Sequence, residues 1–217
     1  MIDKLRKLNP DIPIFSIHDD EFKRYGRVLD FDTSEIVKCG EGIEIPQNGV
    51  RYEMSIPQFE KLNCAPKLRD VIFGKCPAQI GLCWGQNSML NAFEFHRCSE
   101  INIAVTPIVV MLGLQYEIEN NRYDTKNVKA FYLKKGEIIE MYATTLHYCA
   151  CQVSDEGFSC VIGLPEGTND EIALPDEDKL LFMTNKWLIC HEECEELIKK
   201  GAFGGMHGIN YEIKYKA

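Results

Sequence analysis

No stretch of the 217 residues approaches the roughly 18 consecutive apolar positions of a membrane-spanning helix. The opening residues, Met1 to Leu8, also lack the apolar core of a secretion signal. Both absences predict a cytoplasmic protein with no membrane partner. Positive charge is short as well: 24 Lys and Arg stand against 33 Asp and Glu, a formal net charge of −9, and no Lys/Arg cluster interrupts that balance. Without a basic face to neutralise phosphates, nucleic acid is excluded as a partner. Internal repeats and low-complexity segments are missing too. The chain has ten cysteines; without a secretion signal they read as reduced thiols, most of them small buried hydrophobes, rather than as a disulfide framework.

What remains is an ordinary globular composition, 45% apolar and 26% charged, in a chain long enough to bury one full core. Ile2, Leu5 and Leu8 suggest a short helix stopped by Asn9-Pro10, and residues 19–26 read as a capped helical turn closed by Gly26. Asn48-Gly49 signals a tight hairpin between residues 43–45 and 50–52. Residues 57–73 look helical, with a break at Pro66. From residue 79 to about 164 the period becomes two, and segments 79–84, 89–96, 101–115, 128–133, 146–153 and 158–164 read as strands. Strands without an intervening helix imply an antiparallel sandwich or barrel. The tail returns to helix, with Cys190, Cys194, Leu197 and Ile198 on one face, and alternation from Ile209 to Tyr215 predicts a half-buried final strand. The expected organisation is a single domain: a mixed extension over 1–78, a barrel core over 79–164, and a helix plus strand over 165–217.

Two stretches carry chemistry. In Glu94-Phe95-His96 the two polar side chains fall on one face of an extended strand, and Glu100 keeps the same parity. His147 stands eleven residues after Gly136, in a second strand-like run. Together Glu94, His96, Glu100 and His147 offer two carboxylates and two imidazoles to one metal ion. The bland alternative is two solvated strand carboxylates and two hydrogen-bonded core histidines.

Both stretches resemble the motifs of cupins, double-stranded β-helix barrels. Glu94 occupies the place of the first motif's first histidine, while His96 and Glu100 match in type. Gly136 and His147 stand at the second motif's spacing, with Tyr142, Thr144 and Cys151 in its proline, glycine and asparagine places. Within the cupins, the run from Asp20 to Leu29 and the order of the histidine strands resemble ureidoglycolate lyases. The wording from Ala130 to Cys151 and from Thr184 to Leu188 resembles a bacterial cupin-like family of unknown function. The resemblance implies a mainly β, cupin-like antiparallel barrel, and a homodimer paired through exposed strands or swapped extensions is an oligomer that such barrels form.

A mixed O/N donor set suits Mn, Fe, Co, Ni or Zn, and leaves positions open for a bidentate substrate. Such a metal stabilises an enediolate, which points to a lyase or an isomerase/epimerase of a small hydroxy-acid, sugar or sugar phosphate. Glu140 and Tyr142 lie near the second motif as candidates to move protons, and Lys186 as a point charge for an anionic group. Two other readings stay open: a non-catalytic small-molecule-binding cupin, and an iron-dependent oxygenase built on a facial triad. Cys190-His191-Glu192-Glu193-Cys194 lacks the second ligand pair of a zinc site. Gly204-Gly205-Met206-His207-Gly208 lacks the strand-turn-helix setting of a nucleotide loop and reads as a flexible turn.

Overall fold

Period-two segments pair with one another into a mainly β architecture, described over residues 1–173 and 177–216 of a computed structural model. Six strands form a wholly antiparallel sheet in the order Gly26–Val28, Ile138–Met141, Glu100–Ala104, Phe158–Pro165, Ala78–Gly85 and Val50–Glu53. A second sheet centres on Ile108–Leu114, which pairs with Lys129–Leu133 on one side and with the short strands Thr145–Leu146 and Cys151–Gln152 on the other. Ile14–Ser16 extends it in parallel. In a third sheet Lys186–His191 pairs with Ala92–Phe95, with Leu181–Met183 and with Phe203–His207, and Tyr123–Asp124 lies beyond Phe203–His207. One isolated antiparallel bridge, Glu94 to His147, joins the third sheet to the second.

Side-chain alternation explains the layering. Val110, Leu112 and Leu114 meet Ala104, Ile139 and Cys160 between the first two sheets. Val109 and Met111, on the opposite face of the same strand, pack with Phe93, Tyr123 and Ile189. A strand buried on both faces is uniformly apolar, as Ile108–Leu114 is. The outer face of the six-stranded sheet is covered by the helices Ser34–Glu41 and Ala65–Ile72, through Ile36, Leu68 and their neighbours.

The sequence-based expectations need several corrections. Segment 101–115 is two strands in two different sheets, because Pro107 has no N–H for a ladder and the chain crosses over at Val105 to Pro107. Segment 146–153 is also broken, bending at residues 147–150 between its two short strands. Val50–Glu53 pairs with Ala78–Gly85 and not with residues 43–45, where Ile43 and Ile45 instead pack toward the helices. Pro66 sits in the first turn of Ala65–Ile72, where its missing N–H costs nothing, so the break falls before it. The tail's predicted helical face begins on a strand: Cys190 belongs to Lys186–His191, and only Glu195–Lys199 is helical. The glycine-rich turn is the strand Phe203–His207, and residues 209–215 form one bridge, Met89 to Glu212, rather than a strand, although Tyr211 and Ile213 are buried as alternation predicted. The 165–217 segment includes residues 174–176 and 217, which lie outside the described residues.

Candidate metal centre

Glu94 leaves the strand Ala92–Phe95 toward a cavity, and two residues later His96 leaves the strand's end on the same side. The backbone of Glu94 exchanges both hydrogen bonds with that of His147, N–H to O at 2.6 and 3.0 Å, so main-chain pairing fixes how far apart these two residues stand. Glu100 opens the neighbouring sheet's Glu100–Ala104 strand. Ligand atoms of Glu94, His96, Glu100 and His147 all lie within 4.8 Å of one another. That is close to the separation of about 4 Å between opposed donors of one ion bound at about 2.1 Å.

Hydrogen bonds orient each imidazole. His96 Nδ1 lies 2.7 Å from the carbonyl of Asn185, and His147 Nδ1 lies 3.0 Å from that of Thr145. A carbonyl only accepts, so both Nδ1 atoms carry the proton and both Nε2 atoms face the cluster. They converge on one oxygen: Glu100 Oε2 is 3.3 Å from His96 Nε2 and 3.2 Å from His147 Nε2. The other oxygen of Glu100 accepts from Asn102 Nδ2 at 2.8 Å. His96 is 1% exposed and its Nε2 has no hydrogen-bond partner, a buried polar atom that an ion would satisfy. Locked Nδ1 donors, converging Nε2 atoms and buttressed carboxylates are the arrangement a metal ion requires of its surroundings.

Charge follows from the same contacts. Burial works against ionisation of Glu100, but the neighbouring imidazoles, His147 first, hold its carboxyl well below the usual carboxylate range. Burial likewise works against the His147 cation, yet Glu100 raises that imidazole to about 9, so an ion taken up at Nε2 would displace a proton from it. Lys186 is an ion-pair partner of Glu94 across the strand pair, without the angle of a hydrogen bond at Glu94 Oε2. Burial lowers the Lys186 ammonium, and Glu94 more than offsets it, so the group stays charged.

The cavity beside the cluster measures about 510 Å³, and Glu94, Glu100, Lys186, Tyr52, Tyr148 and Asn169 line it. A second cavity of about 1020 Å³, which Tyr52 also lines, contains none of the four candidate ligands. Structure and sequence part over two residues. Glu140 sits opposite Ile101 in the ladder while Met141 sits opposite Glu100, so its side chain leaves the other face of the sheet. There it accepts a hydrogen bond from Arg27 Nε at 2.6 Å. Tyr142, whose N–H donates to the carbonyl of Tyr25 at 2.9 Å, lines neither cavity. Of the two cysteines that follow His147, Cys149 lines the cavity and Cys151 is buried in the apolar core.

Sequence reasoning missed Tyr52, Asn169 and Asn185. Asn169 Nδ2 donates to Tyr52 Oη at 2.9 Å. Asn185 stands at φ 55 in the two-residue turn from Leu181–Met183 into Lys186–His191. Its left-handed position is a turn signal readable in Thr184-Asn185, though nothing local says that the turn's carbonyl holds a histidine 89 residues away.

Comparison with known proteins places partial likenesses beside this geometry. HygX from Streptomyces hygroscopicus, solved with nickel, 2-oxoglutarate and hygromycin B bound, is similar at a TM-score of 0.45 and 10% identity, over 76% of this chain and 93% of that one. Oxalate decarboxylase from Bacillus subtilis, solved at pH 4.6, is similar at a TM-score of 0.33 and 12% identity, over 58% of this chain. The match spans only 28% of the decarboxylase chain. No curated protein matches. The metal reading therefore rests on the side chains described above. The chain belongs to the family described as a domain of unknown function, DUF4867, which matches residues 14–211.

Proposed function

We propose that Glu94, His96, Glu100 and His147 bind one divalent transition metal, and that the protein is a cupin-type lyase or isomerase/epimerase of a small hydroxy-acid, sugar or sugar phosphate. The observation that carries this reading is the convergence of two buried imidazole Nε2 atoms on Glu100 Oε2, with both Nδ1 atoms engaged by backbone carbonyls. A bound metal supplies Lewis-acid polarisation of a substrate carbonyl or hydroxyl. Mn, Fe, Co, Ni and Zn all suit the donor set.

The chain's own residues divide the remaining work. Lys186 keeps Glu94 in place and has further N–H donors for an anionic or hydroxylated ligand in the cavity. Burial, reinforced by nearby Glu100 for Tyr52 and by Cys149 and Glu94 for Tyr148, raises both phenols. They stay protonated and serve as hydrogen-bond donors to substrate oxygens. Glu140 and Tyr142 take no part in this proposal, because neither reaches the cavity.

Metal content of protein purified without chelator, beside that of a His96→Ala/His147→Ala variant, tests the centre. About one ion per chain in the first and none in the second is expected; equal content sinks the site. Solvent deuterium entering the carbon next to the carbonyl of an aldose, ketose or hydroxy-acid, followed by NMR, tests the reaction class.

A further inference from the structure

The cavity wall holds a pair of thiols that the proposed chemistry does not use. Cys83, in the strand Ala78–Gly85, directs its Sγ at Cys149 Sγ across 3.9 Å. The two are 66 residues apart, and both line the cavity that Glu94, Glu100 and Lys186 line. Both are free thiols.

We propose that Cys83 and Cys149 are a thiol–disulfide exchange site, oxidised to an intramolecular disulfide by a small disulfide that enters the cavity. Their surroundings are unequal. Cys83 is held in the middle of a sheet, between Val50–Glu53 and Phe158–Pro165, and is 9% exposed. Cys149 is half-buried in residues 148–150, which follow the His147 bridge and belong to no strand, with the carbonyls of Cys149 and Ala150 accepting from Asn87 Nδ2 at 3.4 and 3.2 Å. That segment has only to bring its sulfur about 2 Å closer to reach an S–S bond length. Cys160, a third thiol on the cavity wall, is already committed to Asn102 Oδ1 at 3.3 Å.

The exchange balances. Cys149, the sulfur nearer the open cavity, attacks one sulfur of the incoming disulfide; it loses its proton, and the first small thiol leaves carrying it. Cys83 then attacks Cys149 Sγ, and the second small thiol leaves with the Cys83 proton. The protein loses two hydrogens, and one disulfide becomes two thiols. Cys149 lies two residues beyond His147, so the new bond tethers the segment that carries this histidine to the six-stranded sheet.

The test takes the full reduced chain, incubates it with bis(2-hydroxyethyl) disulfide, alkylates it and digests it without reduction. Mass spectrometry should find a peptide joining Cys83 to Cys149, removed by excess 2-mercaptoethanol. A Cys83→Ala variant should instead carry the hydroxyethylthio adduct on Cys149. Two alkylated thiols after the incubation, or an adduct persisting on Cys149 in the unsubstituted chain, would overturn the proposal. Amide hydrogen exchange over residues 145–151 should be slower in the oxidised protein than in the reduced protein; an unchanged rate would refute the tether. None of these readouts requires a metal, so failure of the metal centre leaves them decisive.

Discussion

Glu100 meets three polar groups through two oxygens: both imidazole Nε2 atoms lie within 3.3 Å of Oε2, and Asn102 Nδ2 donates to Oε1. A side chain so fully engaged and 4% exposed has one orientation, and the imidazoles inherit theirs from it and from the backbone. Asn185 is the most testable of these supports. Its carbonyl holds His96, while its side-chain Oδ1 accepts from the N–H of Arg97 at 2.9 Å. Asn185→Gly keeps the left-handed turn and the carbonyl, so metal affinity should stay within a few-fold of the original. Asn185→Ala leaves a Cβ in that conformation without the side-chain amide that makes Asn tolerant of it, so this variant should be less stable than the glycine variant by about 1 kcal/mol. It should also weaken metal binding by about tenfold or more, the usual loss when a ligand's support is disturbed. Metal titration and chemical denaturation of the two variants measure both differences, and equal affinities would remove Asn185 from the site.

Strand crossings, more than strands, decide where the donors meet. Gly81 lies where the Val50–Glu53 strand leaves its ladder, and a Cβ there would run into the carbonyls of Glu53 and Met54. Gly81→Ala should therefore lift that edge, destabilising the fold by about 1–3 kcal/mol in urea titration and moving Tyr52 out of the cavity wall. Elements of this kind were only partly readable. Alternating segments near residues 79–84, 128–133 and 158–164 stood out because one face of each differs from the other. Ile138–Met141 did not, being four residues between a Lys-Lys-Gly turn and a tyrosine. Lys186–His191 was masked by the cysteine spacing, which mimics a helix; its last four residues are buried and show no period of two. The candidate ligands were legible because Glu-x-His is local. Glu140 stands away from the cavity because the Ile138–Met141 strand, which the sequence pattern does not reveal, decides which face it leaves, and Tyr52 is not legible because its position depends on pairing across the chain.

At the scale of the whole molecule, the four candidate ligands come from two pieces of chain, residues 94–100 and His147, which meet through one main-chain bridge. An ion bound there ties these pieces together only in the folded state, so it adds to stability by mass action. With metal at about 100 times its Kd the gain is about 2.7 kcal/mol. Chelation should accordingly lower the melting temperature of the metal-loaded protein and leave that of His96→Ala/His147→Ala unchanged, as read by differential scanning calorimetry. A chelator effect of equal size in both would place the stabilising ion elsewhere. Among the described residues no helix is long and apolar enough to cross a membrane.

The main-chain bridge between Glu94 and His147 has an evolutionary consequence. Because the backbone sets their spacing, the side chain at position 94 is exchangeable without rebuilding the scaffold, and imidazole and carboxylate become alternative alleles of one fixed socket. Lys186 constrains the exchange. Glu94→His by itself strands a buried ammonium without its counter-charge, whereas Glu94→His/Lys186→Met removes both charges together. The double variant should be the more stable of the two and should still take up metal. The acid at 94 and the base at 186 are thus energetically coupled, and a change at one is best tolerated with a compensating change at the other.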